Sequence, residues 1–198
     1  MKKIYIVLAI LIIGAISVVG WFVGTNNRFV EMKGNSTKQW ANVESSYQRR
    51  SDLIGNLVNT VRGAADFERN TLTAVVEARA KATSTTIDAN NLDPAQLQAF
   101  QEAQGQLSSA LSRLLVTVER YPELKANQNF LELQSQLEGT ENRINVERTR
   151  YNNIAGDYNI AIKKIPASIV ANFGNFTEVA LFQAESGAET VPEVNFNF

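Results

Sequence analysis

Residues 121–166 read YPELKANQNFLELQSQLEGTENRINVERTRYNNIAGDYNIAIKKIP. Phe130, Leu133, Leu137, Thr140, Ile144, Glu147, Tyr151, Ile154, Tyr158, Ala161 and Ile165 recur there at alternating intervals of three and four. That spacing is the seam of a long helix packed along other helices. Thr140 and Glu147 are its only polar members. The stretch holds no catalytic signature, so it speaks to architecture before activity.

Working outward towards the N-terminus, Ile4 to Gly24 reads IYIVLAILIIGAISVVGWFVG without one charge. Twenty-one residues of helix, at about 1.5 Å each, span about 30 Å, the thickness of bilayer hydrocarbon. Tyr5 and Trp21 stand near its ends, where amphipathic rings favour the membrane interface. A cleaved signal peptide needs a shorter apolar region followed by small residues, and Trp21-Phe22-Val23 occupies that place. The run therefore predicts an uncleaved single-pass anchor in the lipid bilayer, marked by Ile4, Tyr5, Leu11, Trp21 and Phe22. Lys2 and Lys3 abut the span and favour a cytoplasmic N-terminus, with the large domain outside the cytoplasm. Arg28, Lys33 and Lys38 on the other flank pull the opposite way, which keeps a cytoplasmic domain as the alternative.

The remaining chain divides by pattern. Residues 1–3 form a short basic N-terminus, 4–24 the anchor and 25–36 a polar juxtamembrane bridge with Gly34 as a bend. Residues 37–166 form a bundle of long helices, and 167–198 a short helix and tail. Helix one is expected over 37–82, with Trp40, Val43, Tyr47, Arg50, Ile54, Leu57, Val61, Ala64, Glu68, Leu72 and Val75 on one face. Gly55 and Gly63 weaken it by about 1 kcal/mol each relative to Ala. The segment TSTTIDANNLD, residues 83–93, is a turn. Asp93 is an N-cap, Pro94 suits the first helical position, and helix two runs to Arg120. Helix three runs from Ala126 to Pro166. The fold class is thus all-α: an N-terminal transmembrane helix, a long antiparallel three-helix bundle and a short C-terminal helix.

Helices of about 68, 40 and 58 Å do not cover one another evenly. Helix two turns back beside the upper part of helix one, and helix three rises parallel to helix one from the lower turn. Trp40, Val43 and Tyr47 then lack an intrachain cover, which marks them as contacts for neighbouring subunits or for the C-terminal segment. Tyr151-Asn152 and Tyr158-Asn159 recur seven residues apart, and their asparagines are candidates for bonding across helices or to a partner. Arg50, Glu68 and Glu147 are candidates for fixing register between helices. After Pro166, ASIVANFGNFTEVALF predicts a short helix capping the bundle end, or lying in a membrane interface. The tail ends in alternating Val191, Val194, Phe196 and Phe198, a docking strand or a loose tail; docking is favoured, with Phe196 and Phe198 as candidate contacts to a neighbouring subunit or partner.

Composition removes whole classes of function. There is no histidine and no cysteine, so the commonest general base, the commonest metal ligand and thiolate chemistry are all lacking. Glu138, Glu141 and Glu147 share a helix, but a di-metal bundle of this kind takes a Glu-x-x-His motif. The formal net charge of −1 argues against nucleic-acid binding. No phosphate loop, nucleophile elbow or nucleotide fingerprint occurs. The expectation is a non-enzyme with no cofactor, no metal and no nucleic-acid partner.

Four segments carry a family resemblance: YPELKANQNFLELQSQL, then TENRI, then the run Arg148 to Asn159, and Arg49 to Ile54 with Asn56-Leu57-Val58. Together they resemble the LemA family of bacterial membrane proteins. The resemblance covers roughly Trp40 to Phe182, with one departure, Gly55 where the family commonly has proline. It implies an N-terminal membrane span and a helical domain, with no settled activity. The combined expectation is a membrane-anchored, non-catalytic scaffold of the bacterial inner membrane that forms homo-oligomers. The alternative is an adaptor binding another membrane protein in envelope stress or quality control.

Overall fold

The computed structural model describes residues 2–63, 68–89 and 92–183, so Phe196 and Phe198 lie outside the described residues. Its elements are helices: α1 (Lys2–Arg62), α2 (Arg69–Ser84), α3 (Pro94–Val118), the single turn α4 (Pro122–Lys125), α5 (Gln128–Lys163) and α6 (Ala167–Phe173). The all-α class and the apolar N-terminal helix stand as expected.

The span and the first bundle helix are one element. α1 runs unbroken for 61 residues, about 90 Å, through the polar 25–36 bridge and past Gly34, where a bend was expected. Among the described residues most of the apolar run is uncovered: Ile4, Tyr5 and Leu11 are each more than half exposed, and only near its end does Phe22 meet another element, α6. From Phe29 onward one face is buried, through Trp40, Val43, Tyr47, Arg50, Ile54, Leu57 and Val61.

The expected helix one, 37–82, is two helices. α1 stops at Arg62 and α2 returns antiparallel to it, with Arg79 opposite Ser51 at 2.8 Å. Gly55 leaves room for the Arg79 guanidinium to lie against α1. The extra reversal changes the direction of everything downstream. α3 runs beside α2, Lys81 meeting Gln106 and Glu68 meeting Arg120. α5 then descends antiparallel to α1, pairing Arg50 with Glu141 and Gln39 with Glu147, not parallel to it. Among the described residues the bundle has four long helices, α1, α2, α3 and α5, where three were expected.

Local signals fix two starts. Asp93 Oδ1 accepts from the Gln96 amide at 2.9 Å to cap α3, with Pro94 in the first turn. Asn127 Oδ1 accepts from the amides of Asn129 and Phe130 to cap α5. The seam of α5 ends on buried Ala161 and Ile162; Ile165 is 89% exposed, a correction to its place in that seam. α6 stops at Gly174, where a Cβ would collide with the Phe176 ring, and Asn175 follows with φ 52°. Residues 176–183 are neither helix nor strand, so the C-terminal helix is shorter than its apolar pattern implied.

The core has two parts. Near the membrane it is aromatic: Phe29, Trp40, Tyr47, Phe100, Tyr151, Tyr158 and Phe182. Farther out it is aliphatic, built from Leu53, Ile54, Leu57, Val61, Leu72, Leu107, Leu114 and Leu137 with the ring of Phe130.

Candidate functional site

The segment after α6 turns back and runs antiparallel along α5 as a strap. Seven-residue repetition on α5 holds it. Asn159 donates from Nδ2 to the Val179 carbonyl at 2.9 Å and accepts the Val179 amide at 3.0 Å. One heptad earlier, Asn152 does the same to Phe182, at 2.9 Å each way. Each side-chain amide pairs with one residue's backbone as a neighbouring β-strand would. The Tyr158 hydroxyl donates to the Thr177 carbonyl at 2.9 Å, and that of Tyr151 to Ala180 at 2.8 Å. On the other edge, the Ala180 amide donates to the Leu92 carbonyl at 3.1 Å.

The repeat lengths match. Two turns of helix separate the asparagines by about 10.5 Å. Val179 and Phe182, three residues apart, both aim their amides at α5, as a chain turning once per three residues does. At about 3.1 Å per residue such a chain advances about 9 Å over that interval. Polar pairing therefore stays in register over both repeats.

Phe182 closes the site. Its ring stacks on Trp40 at 5.5 Å and 17°, meets Tyr151 edge-on at 5.7 Å, and lies 4.6 Å from the Arg148 guanidinium. Trp40 also meets Phe100 and Tyr151 edge-on, and Tyr47 meets Phe100. Trp40 and Val43 are 1% and 0% exposed. The stripe Trp40, Val43 and Tyr47 is thus covered from within the chain, by the start of α3, by α5 and by the strap; the gap expected from helix lengths is corrected, while the C-terminal segment, one of the two covers expected for it, is in place. Asn152 and Asn159 likewise spend their amides on the chain's own backbone.

Arg50 lies between the two core parts, 3% exposed. It donates from Nη1 to Glu141 at 2.6 Å and to Ser108 at 3.1 Å, and from Nη2 to Gln104. Gln104 in turn donates to the Ala82 carbonyl at 3.4 Å. One guanidinium is thereby linked to α2, α3 and α5. Its position 5.1 Å from the Tyr47 ring adds a cation–π contact. Glu147 is buried between α1 and α5, accepting from Gln39 at 2.7 Å and from Arg150 at 3.3 Å. Glu68 departs from the expectation. It is exposed at the far end of the bundle, paired with Arg120 at 3.0 Å, because the helix break removes it from the α1 seam.

Burial raises the pKa of Tyr47, Tyr151 and Tyr158 above the usual phenol value, with Arg148 and Arg50 partly opposing it at Tyr47. No group of three carboxylates among the described residues is gathered to hold a metal. The site can grip an extended backbone; it offers no nucleophile–base pair.

Pattern reasoning found the tyrosine–asparagine repeat but not its partner. The available signal was the three-residue spacing of Val179 and Phe182, opposite a seven-residue spacing on α5.

The model of the LemA family matches residues 39–196. Magnetosome protein MamQ 2 of Paramagnetospirillum magneticum is 28% identical over 92% of this chain and 74% of its own length. MamQ of Magnetospirillum gryphiswaldense is 26% identical over 94% and 75%. Protein LemA of Metamycoplasma hominis is 26% identical over 92% and 79%.

Proposed function

This chain belongs to the LemA family, and from that premise we propose that it is a membrane-anchored, non-catalytic scaffold that associates with copies of itself. The observation that carries the reading is α1, a single helix that is both span and bundle wall. Such a helix holds the bundle at a set height, with no joint between anchor and load. Self-association is supported within the span itself. A Cβ added at Gly20 or Gly24 would meet no other element among the described residues within 4 Å, and their four-residue spacing lets a second helix approach closely in lipid. At about 100° per residue they lie about 160° around α1 from Phe22, which packs against Phe173. Spans can therefore pair without displacing the bundle's own contacts. We assign the protein to the bacterial inner membrane, with the bundle outside the cytoplasm as Lys2 and Lys3 favour.

The test is the mass of the full-length chain, gently extracted with its span, by native mass determination and electron imaging. A closed assembly of one chain is expected, and Gly20→Leu with Gly24→Leu should lower its subunit number. A monomer overturns the reading. A stoichiometric complex with a different membrane protein overturns it too, in favour of an adaptor.

A further inference from the structure

The corner between α5 and α6 stands beside the end of the apolar run of α1. The Phe173 ring meets Phe22 edge-on at 6.1 Å, and Phe176 meets Phe29 at 5.4 Å. Phe22 lies about 3 Å before the end of the apolar run. These two contacts set the height of the corner against α1 whatever the tilt of the span.

Three large apolar side chains at this corner are largely exposed, Phe173 keeping only the edge contact with Phe22. Ile165 is 89% exposed, Phe173 78% and Ile169 56%. The first two exceed every large apolar residue of the span, of which Tyr5, at 69%, is the most exposed. Ile169 and Phe173 are four residues apart in α6 and so share one side of it. Lys163, paired with Glu178 at 2.8 Å, and Lys164 are exposed beside them.

We propose that this corner is a second membrane contact, in which Ile165, Ile169 and Phe173 enter the interfacial layer of the leaflet that α1 exits. Lipid is the occupant because the patch is continuous with the span through Phe22 and Phe173, at a depth where α1 is itself surrounded by bilayer. Lys163 and Lys164 then lie among the headgroups, with their stems along the apolar edge. Two attachments along different lines fix the tilt of the bundle and its rotation about the axis of α1, which one helix alone leaves free. The inference is independent of whether the spans associate.

The absence of cysteine makes a single introduced thiol unique. Ile165→Cys, Ile169→Cys, Phe173→Cys and, as the aqueous reference, Val116→Cys are each labelled with a nitroxide in the full-length chain. The chains are reconstituted in vesicles of phosphatidylcholine with a minor share of phosphatidylglycerol. Ile165 and Ile169 are included because their replacement leaves the Phe22–Phe173 contact intact. Collision of the label with oxygen, relative to a water-soluble nickel chelate, should be several-fold higher at the three corner positions than at Val116, which is 71% exposed on α3. Equal ratios at the corner and at position 116 would overturn the proposal. So would exclusion of both reagents together at the corner, since that signature belongs to a protein occupant.

Discussion

The two halves of the bundle are held in different ways. The far half is aliphatic, and its helices cover one another: Leu57 and Val61 of α1, Leu72 and Val75 of α2, Leu107 and Leu114 of α3, Leu137 of α5. The near half has no such symmetry. α2 ends at Ser84 and α3 begins at Pro94, so towards the membrane α1 is accompanied by α5, α6 and the strap. Rings fill the space, and side-chain amides tie down an extended backbone that has no strand to pair with. Arg50 and Gln104 form the boundary. The contrast shows that helix periodicity builds a core only as far as helices reach. Beyond that, closure depends on single residues with directional bonds.

Substitution in each half tests whether they are separable. Trp40→Ala should cost about 3–5 kcal/mol, the range for a large buried aromatic, and should strip amide-exchange protection from Val179 and Phe182. Leu57→Ala should cost about 2–5 kcal/mol yet leave those two amides protected. Denaturant titration with hydrogen exchange, on the full chain in lipid, reads both. Equal loss of strap protection in the two variants would show one cooperative unit and dissolve the contrast.

A smaller effect sharpens it. Asn159→Ala leaves the amide and carbonyl of Val179 without partners, for a cost of about 1–3 kcal/mol. Asn152→Ala should cost less, because Asn152 is less buried than Asn159. Exchange should accelerate at Val179 and Phe182 respectively, and the far half should not respond. Protection unchanged at Val179 in Asn159→Ala would remove the asparagine ladder from the account.

The gentlest probe is alkali. Tyr47, Tyr151 and Tyr158, all in the near half, have raised pKa values. The unfolded chain releases their protons from about pH 10, while the folded chain holds them. Their stabilising share is therefore complete below that pH and falls as pH rises above it. Near-ultraviolet dichroism and exchange at Val179 should change before exchange at Leu114 does. Simultaneous loss would again argue for a single unit.

Much of this architecture is written in local pattern. The uncharged run, the Asp93 and Pro94 start, and the α5 seam from Phe130 to Tyr158 could all be read directly. The reversal after Arg62 could not. Val61, Leu72 and Val75 keep helical spacing across it, and a single Gly63 costs a helix only about 1 kcal/mol, so the pattern looks continuous. The direction of α5 and the cover over Trp40 followed from that one omission. The strap escaped for another reason. Bonds from Asn152 and Asn159 to backbone atoms impose no apolar rhythm on residues 177–182. The tyrosine–asparagine repeat was visible as a repeat, while its partner lay outside any window that periodicity inspects.

The stacking of Phe182 on Trp40 also bears on the order of events at the ribosome. Phe182 is added 142 residues after Trp40, a delay of roughly 7–28 s at 5–20 residues per second. During that interval the N-terminal span is already available to the translocation machinery, and the far half gains its partners one helix at a time. Trp40 meets Phe100 and then Tyr151 as α3 and α5 arrive, but its stacked face must wait for almost the last residue of the described chain. An early stop codon or a stalled ribosome would therefore leave a tethered product in which the face of Trp40 that Phe182 covers stays open, a mark for proteolysis.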